Sequence, residues 1–153
     1  MNIFGIGPIL AIVGGIGFLI VVTLHQSFGI MLSVPSPWRQ LFVALGVFFC
    51  AAGLYFWLSS IYLIGRAFRV HRLETSGAYR FSRNPMYAAF IVFLIPGVGF
   101  IFNNLLILCI SLSMYAAFKM LISREEECLR RIYGARYEEY ERNVAQLIPF
   151  VKV

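Results

Sequence analysis

The strongest constraint on this chain is a set of four long runs with almost no charge: residues 3–24, 41–64, 86–102 and 105–122. In lipid every backbone N–H and C=O must be satisfied within the protein, which leaves only helices and closed barrels as spanning structures. A barrel strand needs about ten residues in alternating apolar and polar order, whereas these runs are apolar throughout and approach the roughly 20 residues of a spanning helix. They predict an all-α fold: an integral membrane helical bundle of four transmembrane helices, with a polar loop at 65–85 and C-terminal amphipathic helices in a tail at 123–153. Residues 1–153 then form one membrane domain. Composition agrees, with 60% apolar and 13% charged residues against about 25% charged in soluble domains.

The breaks between runs have local causes. No Lys or Arg precedes Ile3, so the first run lacks the basic start of a secretory signal and reads as a retained helix. Gly7, Ala11 and Gly15 form a small-residue stripe that admits another helix backbone, within the chain or from a second copy. Ser33-Val34-Pro35-Ser36-Pro37 interrupts the helix, and Trp38-Arg39 follows as an interface anchor. Asn103-Asn104 alone parts the third and fourth runs, which predicts a tight helical hairpin, and Pro96-Gly97 is expected to kink the third. In the tail, Leu129, Tyr133, Tyr137, Tyr140 and Val144 share one helical face, split at Gly134, and should pack against the membrane surface or the basic loop.

Thirteen Lys and Arg against seven acids give +6. The loop holds Arg66, Arg69, Arg72, Arg80 and Arg83 with Glu74 as its one acid, whereas the tail is balanced. With four spans, the loop and the tail share a side, and the positive-inside rule makes that side, and both termini, cytoplasmic. Topology thus accounts for the basic charge, and a nucleic-acid partner is not needed.

Chemistry is then expected between 65–85 and 123–142. Each piece has a purely structural interpretation. Ser123 and Glu126 match a capping box, and Glu126–Arg130 and Glu127–Arg131 are i,i+4 pairs. Arg80 and Arg83 suit lipid phosphates, and Asn84-Pro85 suits a helix start. His71 is isolated from other ligand types, and Cys50, Cys109 and Cys128 have neither paired spacing nor an even count, so no metal site or disulfide is expected.

Taken together, Gly77, Tyr79, Arg83-Asn84-Pro85, Tyr87, an apolar hairpin, Glu125-Glu126, Leu129, Gly134, Tyr137, Tyr140 and Ile148-Pro149-Phe150 resemble the isoprenylcysteine carboxyl methyltransferase family of membrane enzymes. The resemblance runs from about His71 onward. It implies methyl transfer from S-adenosylmethionine to a lipophilic acceptor, a prenylated or lipid substrate reached from the bilayer. It places the cofactor against His71, Arg72, Leu73, Glu74, Tyr79, Asn84, Pro85, Met86, Tyr87, Glu125 and Glu126. Arg83, Asn84 and Glu125 would be the catalytic group, with Glu125 at the cofactor's polar end.

Two positions depart from the family. Asn84 stands where His is usual, and Asn84-Pro85-Met86-Tyr87 also resembles phosphatidylethanolamine methyltransferases. Leu121 stands where the prenylcysteine enzymes carry an Arg for the substrate carboxylate, with Lys119 or Arg124 as neighbouring cations. Phospholipid N-methylation is therefore the second reading. A weaker likeness to the C-terminal part of sterol reductases, and a non-catalytic membrane scaffold, complete the alternatives.

Overall fold

In a computed structural model of the protein, residues 5–70 and 73–149 are described, the side chains of 67–70 excepted. His71, Arg72 and Phe150 from the sequence analysis lie outside the described residues. Helix α1, Gly7–Phe28, opens with Pro8 in its first turn, where a missing N–H costs nothing. It closes on Gly29, whose φ of 63° lets its N–H turn back to the His25 carbonyl at 3.0 Å. Helix α2 spans Ser36–Val70, and α3 spans Pro85–Ile101. After a short 3-10 turn at Leu105–Ile107, α4 runs from Leu108 to Tyr133, and α5 covers Ala135–Asn143.

Among the described residues, three helices are long and apolar enough to cross a membrane: Gly7–Phe28, Ser36–Arg66 and Leu105–Tyr133. The third apolar run forms the shorter helix Pro85–Ile101. Ala89–Leu94 within it winds as a π turn, just ahead of Pro96. Proline has no N–H and its ring crowds the carbonyl four residues back, so a widened turn there relieves both problems.

Two expectations are corrected. Residues 65–70 were placed in the loop, but α2 continues through them: Gly65 costs only about 1 kcal/mol and no proline follows until Pro85. At 35 residues, about 52 Å, α2 outruns a hydrocarbon core of about 30 Å. Nor does Ser123 cap a helix, because α4 passes through it without a break and the three Glu lie in its later turns. The split at Gly134 is present, with φ 54° between α4 and α5.

The small-residue stripe also falls elsewhere. Gly7 and Gly15 have open space around them, whereas a Cβ on Gly14 would lie 2.9 Å from Met114 Sδ and one on Gly17 3.4 Å from Ile110, so α1 rides on α4. The tightest crossing joins α2 and α3. A Cβ on Gly46 would meet the Gly97 carbonyl at 2.7 Å, and one on Gly97 would meet Cys50 Sγ at 2.7 Å. Beside it Phe42, Phe49 and Phe56 of α2, seven apart, stack edge-on or tilted against Phe100 and Phe93 at 5.1–5.9 Å.

The hairpin forms as expected. Asn103 takes φ 53°, tolerable for Asn, and its side-chain amide holds Val34 through both N–H and C=O. At the opposite end, the loop, the tail and the start of α1 meet. Gly77, with φ 55°, brings a 3-10 turn Gly77–Arg80 onto α2, where Ala78 N–H donates to Ser59 Oγ at 3.2 Å. Ser82 and Ala145 pair as a single parallel bridge, so the tail does pack on the loop.

The α2–α3 crossing yields a test. Gly97→Val forces helices apart whose backbones touch, with an expected loss of about 1–3 kcal/mol. Gly65→Ala, in open space, should leave stability unchanged or raise it slightly. Thermal unfolding in detergent compares the two.

Candidate functional site

Between α1, α3 and α4 lies a cavity of about 520 Å³. Leu10 and Gly14 line it from α1, Phe90 and Leu94 from α3, and Ile110 and Met114 from α4. The walls are almost wholly apolar. Such a slot takes a hydrocarbon chain, because transferring each buried CH₂ out of water is worth about 0.8 kcal/mol.

At one end of the cavity the lining residue Tyr87 leads to a carboxylate. Tyr87, which lines it beside Met86, stacks on Phe118 at 5.7 Å and directs its hydroxyl to Glu125, 3.3 and 3.5 Å from the two carboxylate oxygens. Glu125 also accepts the backbone N–H of Ile6, the residue ahead of α1. Its position follows from helix spacing: residues 110, 114, 118 and 125 lie along one face of α4.

A second polar group stands behind this one. The Arg83 side chain is 7% exposed, with Nη1 2.7 Å from Glu141 and 3.5 Å from Glu126. Arg130 reaches the same Glu141 carboxylate through two nitrogens at 2.7 and 2.9 Å. These cations hold the Glu141 carboxyl down at about 2, with the Arg130 hydrogen bonds the largest cause. Gln146 joins the rest: its amide donates to Glu126 at 2.8 Å, its side-chain oxygen accepts Lys119 Nζ at 2.8 Å, and its carbonyl accepts Asn84 Nδ2 at 3.0 Å. Burial, with the nearby Glu126 charge second, pushes the Tyr137 hydroxyl up to about 12, so it stays a neutral phenol.

The residues singled out in sequence thus fall into three places. Met86 and Tyr87 line the cavity, and Glu125 lies against the Tyr87 hydroxyl. Arg83, Asn84 and Glu126 meet in the Gln146 cluster, and Pro85, buried, starts α3 between the two groups. Leu73, Glu74 and Tyr79 occupy the loop. Glu74 accepts from Ser76 N–H and Oγ, which lowers its carboxyl, and the Tyr79 carbonyl accepts Tyr140 Oη at 2.6 Å. Glu127 pairs with Arg131 as expected, but Arg130 turns to Glu141 rather than Glu126. Lys119 is tied to Gln146, whereas Arg124 makes no ion pair among the described residues. Sequence reading missed Gln146, Glu141 and Ile6, because their roles rest on contacts between distant segments.

A group able to bind here must suit these atoms. Arg83 Nε and Glu126 Oε1 are buried without a hydrogen-bond partner among the described residues, and Glu125 offers a carboxylate beside an aromatic face. Both charge signs beside an apolar wall fit a zwitterionic ligand carrying a cationic centre.

The sequence pattern of the phospholipid methyltransferase family matches residues 39–136. A probable protein-S-isoprenylcysteine O-methyltransferase of Oryza sativa subsp. indica is 33% identical over 82 residues, covering 54% of this chain and 43% of that protein. Protein-S-isoprenylcysteine O-methyltransferase A of Arabidopsis thaliana is 31% identical, over 53% of this chain and 41% of the relative. That of Xenopus laevis is 32% identical, over 54% and 28%. The match therefore spans less than half the length of each of these relatives. No solved structure matches the chain.

Glu141 makes the cluster pH-dependent. Its folded carboxyl titrates near 2 against an ordinary 4.5, so its stabilisation is full above about 4.5 and fades as pH falls toward 2. Glu141→Gln should lower stability at pH 7 by about 1–3 kcal/mol, discounted for the half-exposed Arg130, and flatten the acid limb of a melting-temperature profile between pH 5 and pH 3.

Proposed function

Because the chain belongs to the phospholipid methyltransferase family, we propose that it is an integral membrane enzyme that transfers a methyl group from S-adenosylmethionine to a lipophilic acceptor, a carboxylate of isoprenylcysteine type. The observation that carries this reading is the junction of Glu125 and Tyr87 with an apolar cavity between helices. A reactive polar end on a hydrocarbon-sized slot is what a lipid-tailed acceptor needs.

When bound, the cofactor supplies an electrophilic methyl on a sulfonium. Glu125 would receive its ammonium by a charge-assisted hydrogen bond, with the Tyr87 hydroxyl orienting that carboxylate. Arg83, through its free Nε, and Asn84 hold the loop side of the pocket, with His71, Arg72, Leu73, Glu74, Tyr79, Pro85, Met86 and Glu126 completing the cofactor contacts. The cavity walls would hold the acceptor tail and exclude water, and such positioning of the acceptor would supply much of the rate. A carboxylate acceptor is ionised at pH 7 and asks no general base of the protein. Four spans, with α3 the shortest, and a cytoplasmic polar end complete the proposal, since the basic loop and the tail gather at that end.

Phospholipid N-methylation is the second reading, favoured by the family pattern and by Asn84-Pro85-Met86-Tyr87. An amine acceptor must first lose a proton, and Glu125 is the nearest carboxylate to the slot.

Calorimetry with S-adenosylhomocysteine on the detergent-purified protein tests the cofactor. Glu125→Gln should weaken binding about tenfold to a hundredfold, the worth of one charged hydrogen bond. A folded wild-type protein that ignores millimolar ligand overturns the reading. Label from methyl-labelled cofactor decides the acceptor: a base-labile ester on prenylcysteine supports the carboxylate, and methylated head groups support the lipid amine.

A further inference from the structure

The Glu125 carboxylate is engaged by the turn that leads into α1. Ile6 donates its backbone N–H to Glu125 Oε1, and Tyr87 donates its hydroxyl from the other side. Gly5 makes this approach possible. It takes φ 54°, and a Cβ built there would fall onto Glu125 Oε1 and lie 3.2 Å from Tyr87 Oη. Only glycine holds this turn without strain.

The same turn begins α1, which forms one wall of the cavity while seating on α4 through Gly14 and Gly17. The cavity itself separates α1 from α3, and the first turn of α1 is held by the Glu125 contact together with the buried side chains of Ile6 and Leu10. The N–H it offers is one of the orphan donors of a helix start, and a ligand ammonium offers a stronger, charged donor to the same oxygen.

We propose that Gly5–Ile6 is a displaceable latch: it satisfies Glu125 in the empty protein, and the cofactor's ammonium displaces it, freeing the first turn of α1 at the cavity end. This inference rests on the reading of Glu125 as the ammonium receptor. The two ligands compete for one carboxylate, so the closed latch lowers apparent cofactor affinity by the fraction of molecules in which Glu125 is free. Release of the α1 turn also loosens one wall of the slot, so the acceptor is admitted after the cofactor is seated.

Gly5→Ala, which cannot keep the turn on Glu125, tests the latch. S-adenosylhomocysteine should bind this variant about threefold to tenfold more tightly than wild type by calorimetry. Equal or weaker binding overturns the latch, weaker binding marking the turn as part of the cofactor site. Hydrogen exchange on the wild-type protein provides the second readout and does not depend on a variant folding. The peptide covering residues 5–10 should exchange faster when the ligand saturates the protein, while 73–87 slows. Slower or unchanged exchange at 5–10 overturns the latch. Failure of folded wild type to bind the ligand at all overturns the cofactor reading instead, and the latch with it.

Discussion

The polar end of this molecule depends on Arg83. Its guanidinium is buried between Glu126 of α4 and Glu141 of α5, and its own N–H holds the Ala145 carbonyl at 2.8 Å. A buried cation is costly unless its partners are placed around it, and removing one partner of such a pair costs more than the pair contributes. That asymmetry fixes the geometry. The loop before α3, the end of α4 and the returning tail can sit only where both carboxylates reach Arg83. Asn84, one residue on, is then within reach of the Gln146 carbonyl, and Tyr87 one helical turn later faces Glu125.

The adjacent carboxylates Glu125 and Glu126 consequently do different work. Neighbours on a helix point about 100° apart, so one meets the Arg83 cluster and the other meets Tyr87 and the turn ahead of α1. Glu126 is fully buried and charge-paired, whereas Glu125 is half-buried with only neutral donors on it. A carboxylate supported by an N–H and a phenol keeps an appetite for a cation that its neighbour has already satisfied. This difference is the physical reason for assigning the ligand's ammonium to Glu125 rather than to Glu126, whose charge is already paired with Arg83.

Much of this was legible in the residues alone. Charge-free runs announced the helices, Asn103-Asn104 the hairpin, and Gly134 the break, because each is a local property with a local cause. That the tail packs through an aromatic face was legible, Tyr137 and Tyr140 being its buried part, whereas the choice of the loop over the membrane surface came from contacts such as Ser82 with Ala145. The end of α2 was not, since a helix that leaves the membrane keeps its hydrogen bonds and changes only its side chains. The stripe Gly7–Ala11–Gly15 is not the one α1 packs with, Gly14 and Gly17 being used instead, because a stripe of small residues says that close approach is possible without saying which stripe is used. The repeat of Phe42, Phe49 and Phe56 beside Gly46 and Gly53 was the available signal for α2. Gln146 and the Ile6 N–H were beyond sequence reading altogether, as backbone donors and a lone amide carry no pattern.

The acceptor question turns on charge at the mouth of the slot. An apolar cavity binds any long tail, and discrimination between tails differing by a methylene amounts to about 1–3 kcal/mol, so head-group chemistry must be read by the polar end. Glu125 is the charge that Tyr87 links to that mouth, and a negative charge there repels a carboxylate head while attracting an ammonium one. For the carboxylate reading to hold, the cation must come from elsewhere, because position 121 is Leu. Lys119 is the cation already built into the Gln146 cluster, but it sits seven residues from Glu126 along the face of α4 that meets the tail, not the face that lines the cavity. A carboxylate acceptor therefore relies on neutralisation of Glu125 before it approaches. This is the electrostatic counterpart of an ordered reaction: the ligand that cancels the charge must precede the one the charge would repel.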